Sequence, residues 1–304
     1  MKNVLCVGYA CVDVNYQISS FPKENKKMLA NDFNICGGGP ASNASICVRK
    51  LGGTSSFLGY VGDDPFGNLH QEELKKNGVD ISLCSPREIK TPVVCILANS
   101  LKNERTAIAY RTQDYWIKEI PKNLIIERYD SVLFDGHQPI LNDKILDFCK
   151  TKNIPTILDA GSINQGTLSI LSKVDYAVVS QDFAQEFCDS KDDFFCLEKI
   201  VKVRNNKTTV VTLGSKGAIV YKDKCFYEIG AFKINSIDTT GAGDAYHGAF
   251  SYFITSVSFE ECLIKSAAAG ALACEKLGGR ESIPTLEDLN SLLNSQKITC
   301  KILR

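Results

Sequence analysis

The chain has 304 residues, of which 44% are hydrophobic and 23% charged, the profile of a globular protein with a sizeable core. Lys+Arg and Asp+Glu both number 35, and this zero net charge removes the electrostatic case for nucleic acid or an anionic membrane as partner. Thirteen cysteines without a Cys-x-x-Cys pair, and three histidines without ligand spacing to a cysteine pair, point to buried thiols in a reducing, cytoplasmic setting and away from a zinc site.

The apolar run Val4 to Val12 imitates a short secretory signal, but no small-x-small cleavage site follows and Asp13 interrupts it. It is read as a buried strand, Val4–Gly8, turning near the glycine. No stretch approaches the ~20 apolar residues that span a bilayer. Gly37-Gly38-Gly39 opens a helix over Pro40–Lys50 that packs through Ala41, Ala44 and Val48. Phe57–Val61 reads as a second buried strand, and Phe66–Asn77 as an amphipathic helix ending at Gly78. Short apolar runs at 132–134, 156–158, 176–179, 209–213 and 218–221, with helix-length polar stretches between most of them, predict a mainly parallel sheet covered on both faces.

Two stretches, roughly 13–36 and 91–113, break this rhythm with alternating patterns and no helix. The second carries a hairpin, Val93–Leu97 and Thr106–Tyr110, about a polar turn at 99–105. They predict a small β lid over the carboxyl edge of the sheet, where ligands bind in open α/β folds. There is no internal repeat, and a single domain, 1–304, is expected.

The chemistry concentrates in Asp238-Thr239-Thr240-Gly241-Ala242-Gly243-Asp244, which runs into the helical segment Ala245–Phe250. Glycines at a helix start let backbone N–H groups meet an anion, and the helix dipole adds positive potential there. Asp244 in the first turn puts a carboxylate beside that anion hole. Phosphoryl transfer to an alcohol needs both: a base for the hydroxyl proton and donors for the phosphoryl charge. A glycine turn with a capping aspartate is the plainer alternative for Gly-x-Gly-Asp taken alone.

The full string resembles the second signature of the ribokinase-like, or PfkB, carbohydrate kinase family. Gly37-Gly38-Gly39-Pro40-Ala41-Ser42-Asn43-Ala44 resembles the first. The likeness extends over essentially the whole chain, through Gly59-Tyr60-Val61-Gly62-Asp63-Asp64 to Pro284-Thr285. It implies a three-layer α/β/α sandwich and ATP-dependent phosphorylation of a sugar hydroxyl, with Asp244 as base and Gly241, Ala242 and Gly243 as the anion hole. It implies sugar contacts from Asp13, Gly38, Gly39 and Asn43. Arg105 matches a lid arginine of fructose-type kinases, and Arg111 lies in the same lid. Asp135 stands at a strand end where family members often carry glutamate.

Thr212, Gly214, Ser215 and Gly217 match the strand-turn that borders ATP, and an alanine-rich helix at 266–276 with the loop 277–282 is expected on the adenine side. Lys216 is no P-loop lysine, since Gly-x-x-x-x-Gly-Lys-Ser/Thr is absent.

The chain departs from the family in two places. Pro40 stands where ketohexokinase-type enzymes have a substrate-binding Asn; Gly37–Ala41 and the late Gly278-Gly279-Arg280 are more similar to sulfofructose kinases. The Asn-x-x-Glu element that helps organise Mg²⁺ reads Ser180-Gln181-Asp182-Phe183. Ser180 takes the Asn position, the Glu becomes Phe183, and Asp182 or Glu186 are the available stand-ins. The resemblance also implies MgATP, with protein ligands to the metal left unknown, a monovalent cation such as K⁺ near Asp238 and Thr240, and a homodimer through the lid. A nucleoside kinase on the same fold and a nucleotide-binding protein without catalysis are the competing readings; the lid arginines weigh against the first and the intact Gly-Ala-Gly-Asp against the second. A dinucleotide oxidoreductase lacks its Gly-x-Gly-x-x-Gly after strand one.

Overall fold

The computed structural model describes residues 1–99, 104–112, 116–276 and 278–303. In chain order the first half comprises β1 (Asn3–Val7), β2 (Cys11–Gln17), β3 (Asp32–Gly38), α1 (Pro40–Lys50), β4 (Thr54–Leu58), β5 (Tyr60–Gly62), α2 (Pro65–Lys76), β6 (Ser85–Arg87), β7 (Val93–Asn99), β8 (Glu104–Tyr110) and β9 (Ser131–Phe134). The second half comprises α3 (Pro139–Lys152), β10 (Thr156–Ala160), α4 (Gln165–Ile170), β11 (Tyr176–Ser180), α5 (Gln181–Cys188), α6 (Asp193–Val203), β12 (Thr209–Thr212), β13 (Ala218–Lys222), β14 (Cys225–Ile229), α7 (Ala242–Phe253), α8 (Phe259–Ala273), α9 (Leu286–Ser295) and β15 (Cys300–Ile302).

The main sheet runs β15-β14-β13-β12-β11-β10-β9-β1-β4. From β4 to β12 neighbouring strands are parallel; β13, β14 and β15 continue it antiparallel. Side chains alternate between faces, so each strand feeds two cores. In β1, Val4 and Cys6 join Ala44, Val48, Phe250 and Leu263 on one side, while Leu5 and Val7 join Phe134, Ile145, Phe183 and Leu197 on the other. A sheet with both faces apolar must be covered by helices, which yields the expected α/β/α sandwich.

The lid is a separate sheet ordered β3-β2-β7-β8. Strand β2 follows β1 after only Gly8, Tyr9 and Ala10, so the lid grows directly from the carboxyl end of a central strand. The described lid strands span 11–38 and 93–110; residue 113 and most of the 99–105 turn lie outside the described residues.

The expected strand Phe57–Val61 is two elements. The chain leaves the main sheet at Gly59, and Tyr60–Gly62 pairs with β6 instead. Strands β14 and β15 were not anticipated. Their antiparallel pairing breaks the strand–helix alternation on which the reading relied, and β15 joins β14 from the far end of the chain. The alanine-rich helix begins at Phe259, well before 266, because the Ser258 hydroxyl caps it by accepting the Glu261 N–H.

Candidate active site

Helix α7 begins where two glycine loops meet. Gly241 is its N-cap with φ +79°, and a Cβ there would stand 2.6 Å from the Gly279 carbonyl oxygen, so both conformation and space require glycine. Asp238 clips the loops together: its two carboxylate oxygens accept the N–H groups of Thr240 and Gly278, each at 2.9 Å. First-turn N–H groups have no intrahelical acceptor and point out of the helix start. The Ala242 N–H already donates to the Thr239 carbonyl at 3.3 Å, which leaves Gly241 and Gly243 as the better anion donors of the three expected. Nothing lies within 4 Å of where a Gly243 Cβ would be, so its backbone is open to the cleft.

Asp244 follows in the same turn, half-buried, with its Oδ2 accepting from Asn43 Nδ2 at 2.7 Å. Asn43 sits on α1, which the glycine run starts at the expected residue: Gly39 is the N-cap with φ +103° and Pro40 occupies the first helical position. Asp13 on β2 completes the group. It is buried against Gly38, where a Cβ would stand 2.2 Å from its carboxylate, and its Oδ1 accepts from the Cys11 thiol at 3.3 Å. Desolvation pushes the Asp13 carboxyl up to about 6, against the smaller opposing pulls of the Cys11 hydrogen bond and the Arg280 charge. Desolvation likewise raises Asp244, against the opposing pull of the Asn43 hydrogen bond.

Behind Asp244, His247 faces oxygen on both ring nitrogens. Nδ1 lies 2.6 Å from the Gly243 carbonyl oxygen and 3.3 Å from Asp159 Oδ2, and Nε2 lies 3.1 Å from the Val178 carbonyl oxygen. Asp159, beside the ring, is pushed up to about 7 mainly by burial. Neither His247 nor Asp159 was anticipated. A histidine and a strand-end aspartate this far apart in the chain leave no local signal of their pairing.

Several expected residues serve other ends. Asp135 is buried and accepts three backbone N–H groups, from Tyr9 at 2.8 Å, His137 at 2.9 Å and Ala41 at 3.2 Å. Its carboxylate ties the β1–β2 loop to α1, a supporting position at the strand end where a substrate or supporting role was expected. Ser180 caps α5, its hydroxyl accepting the Phe183 N–H at 3.0 Å and donating to the Gly161 carbonyl at 3.1 Å, and it does not line the nucleotide cleft. Phe183, 0% exposed, stacks on Phe187, so the family's carboxylate position is a core position here. Asp182 and Glu186, the available stand-ins, line a separate hollow along α5. Arg105 reaches from β8 to donate to Thr240 Oγ1 at 3.1 Å, bringing the lid to the catalytic loop. Arg111 follows β8 and is exposed.

A cleft of about 530 Å³ opens on the other side of the α7 start. Thr212, Gly214, Ser215 and Gly217 all line it, together with Ala242 and Gly243 of the α7 start. Ala267, Gly270 and Ala271 of α8 make one wall. The facing wall, Ile229 to Ile234, comes from the unanticipated β14 and the segment after it. A cleft this size, largely apolar, suits a nucleotide. Among the described residues no three His, Cys, Asp or Glu side chains form a metal cluster, and no helix is long and apolar enough to cross a membrane.

A family model described as pfkB family carbohydrate kinase matches residues 1–286. The chain is 25% identical to a ribokinase of Lactococcus lactis subsp. lactis over 308 residues, covering 98% of this chain and 99% of that one. It is 27% identical to fructokinase-2 of Oryza sativa subsp. japonica over 286 residues, covering 84% of each. The structure of Arabidopsis thaliana ribokinase complexed with ribose and ATP superimposes with a TM-score of 0.85 at 25% identity, covering 96% of this chain and 98% of that one. The chain therefore belongs to the pfkB family of carbohydrate kinases and has the ribokinase-like fold. It is an ATP-dependent sugar kinase by class.

The Asp13 carboxyl predicts a cost to stability. Its folded value, about 6, exceeds the ordinary 3.8, so the native state binds the extra proton between these values and loses stability as pH rises through 6. Asp13→Asn should match wild type near pH 4 and be more stable at pH 8, by up to about 3 kcal/mol or a few degrees in Tm. Thermal unfolding at the two pH values checks this; equal Tm differences at both would contradict it.

Proposed function

We propose that the chain transfers the γ-phosphoryl group of MgATP to a hydroxyl of a sugar or sugar derivative, with Asp244 as general base and the Gly241 and Gly243 N–H groups stabilising the phosphoryl charge. One observation carries the reading. Ala242 and Gly243 face the nucleotide cleft, while the next residue, Asp244, turns to Asn43 on the opposite side. A base next to an anion hole at the end of the cleft is an arrangement that suits in-line transfer to an acceptor held beside Asn43.

In this reading the acceptor lies against Asp13, Gly38, Gly39 and Asn43 and gives its proton to Asp244 as its oxygen attacks phosphorus. The lid excludes water, so that ATP is not hydrolysed instead. Among the described residues no side-chain cluster forms a protein cage for Mg²⁺, and Phe183 takes a core position. The ion enters with ATP as part of the substrate, held by phosphate oxygens and water. Asp238, beside which a monovalent cation was expected, already accepts two N–H groups, and no step is assigned to K⁺. Arg105 and Arg111 would clamp an acceptor that carries its own phosphate or sulfonate.

The lid displays Phe33, Ile108 and Tyr110, each more than half exposed. Apolar edge strands of this kind favour pairing with a second copy of the chain. Sedimentation velocity should therefore give the dimer mass, reduced by Ile108→Lys; a monomer at all concentrations would dismiss the dimer.

The function itself is tested by ADP release with MgATP across D-ribose, D-fructose, their phosphates, sulfonated ketoses and nucleosides. At least one sugar-class acceptor should raise ADP release about 100-fold or more over the water reaction. Stimulation by nucleosides alone would move the assignment to nucleoside kinase, and ATP binding with no stimulated release would overturn catalysis.

A further inference from the structure

Arg280 lies between α8 and α9 and has no role in the scheme above, yet its guanidinium is among the most constrained groups in the chain. The residue is 5% exposed, and every guanidinium nitrogen has a partner. Nε donates to Asn43 Oδ1 at 3.0 Å. One terminal nitrogen donates to Glu73 Oε2 at 2.6 Å, the other to Ser42 Oγ at 3.0 Å, and that second one also lies 3.1 Å from His70 Nε2. Its backbone is pinned as well, since the Lys50 ammonium donates to the carbonyls of Arg280 at 3.2 Å and Ile283 at 2.9 Å. Gly37 makes room for it: a Cβ there would stand 2.0 Å from the guanidinium.

The consequence lies in Asn43. An amide accepts only at its oxygen and donates only at its nitrogen, and a carboxylate only accepts. Asn43 has an acceptor on one side, Asp244 Oδ2, and a donor on the other, Arg280 Nε. Only one amide orientation satisfies both. Without Arg280 the amide would lose the contact that selects this orientation. Glu73, which pairs with Arg280, also accepts the Gly37 N–H at 2.8 Å, at the root of lid strand β3.

We infer that Arg280 is a positioning residue: it fixes the amide of Asn43 so that its NH₂ holds one oxygen of Asp244, and through Glu73 it ties that arrangement to the base of the lid. The inference rests on the reading of Asp244 as the base. With Oδ2 engaged, the other carboxylate oxygen is the one left for the acceptor hydroxyl. The charged or titratable groups around Asp244 are His247 on its own helix, Asp159 on β10, Asp135 after β9, Asp13 on β2 and Arg280, with the thiols of Cys11 on β2 and Cys47 on α1. Arg280 is the fixed cation in this set, so its loss leaves Asp244 facing three carboxyl groups with less to offset them.

The test uses Arg280→Met and Arg280→Lys in the full chain without ligand. The carboxyl carbon of Asp244 is followed by ¹³C NMR in aspartate-labelled protein and assigned by its absence in Asp244→Asn. Arg280→Met should raise the titration midpoint of Asp244 by about one pH unit, a tenfold change in proton affinity. It should also lower acceptor-dependent kcat at least ~10-fold with KM for ATP within about threefold. Arg280→Lys keeps the charge but not the fork, so it should hold the midpoint near wild type and still lose kcat. A cooperatively folded Arg280→Met whose Asp244 midpoint does not move would overturn the inference. If Arg280→Met does not fold, Asn43→Asp decides: a carboxylate in place of the donor must raise the midpoint, and an unmoved value counts against the positioning role. Turnover retained in Asp244→Asn would instead defeat the reading of the base, an outcome distinct from any NMR result.

Discussion

Four carboxyl groups, Asp13, Asp135, Asp159 and Asp244, crowd the carboxyl edge of the sheet, and the need to compensate them organises everything around them. Burial and mutual repulsion raise Asp13, Asp159 and Asp244. The fold answers each differently. Asp135 receives backbone N–H groups, Asp159 faces His247, Asp244 takes the Asn43 amide, and Asp13 keeps only a thiol hydrogen bond and the more distant Arg280 charge. Asp13 and Asp244, both raised by burial, are also the two assigned to the acceptor hydroxyls. A site that buries its working carboxylates gives up stability where it gains reactivity.

The glycine runs are the second half of this arrangement. Gly37 and Gly38 let Arg280 and Asp13 approach the backbone more closely than any side chain would permit, and Gly241 packs against Gly279 at the start of α7. Both signatures are therefore steric requirements of one packed junction between α1, α7 and the loop after α8. Motif and geometry coincide because the same close approaches that demand glycine also bring base, amide and guanidinium within hydrogen-bond reach.

That junction explains what could be read in advance. Helix α1 was legible to the residue because Gly39 and Pro40 mark its start unambiguously, and the alternation of apolar runs with helices revealed the parallel part of the sheet. That Thr212, Gly214, Ser215 and Gly217 would line one cleft was legible because they form a contiguous strand-turn. Contacts between distant segments were not. Asn43 and Arg280 are 237 residues apart, and Asp159 and His247 meet across the sheet edge, so neither pair leaves a periodic or local trace. For Asp135 the sequence leaves the choice open, because a strand-end aspartate looks the same whether it meets a sugar or three N–H groups. Strands β14 and β15 escaped because the antiparallel edge departs from the rule that identified the rest, although the end of β14 and the segment after it line the cleft.

The account stands on a single carboxylate, Asp244, beside the start of α7 and the Asn43 amide. Its most direct test compares Asp244→Asn with wild type, measuring ATP affinity by calorimetry and acceptor-dependent turnover in the same preparation. The account predicts ATP affinity within a few-fold of wild type and a fall in kcat of about 10²–10⁴. Turnover close to wild type in a pure sample of the variant would contradict it.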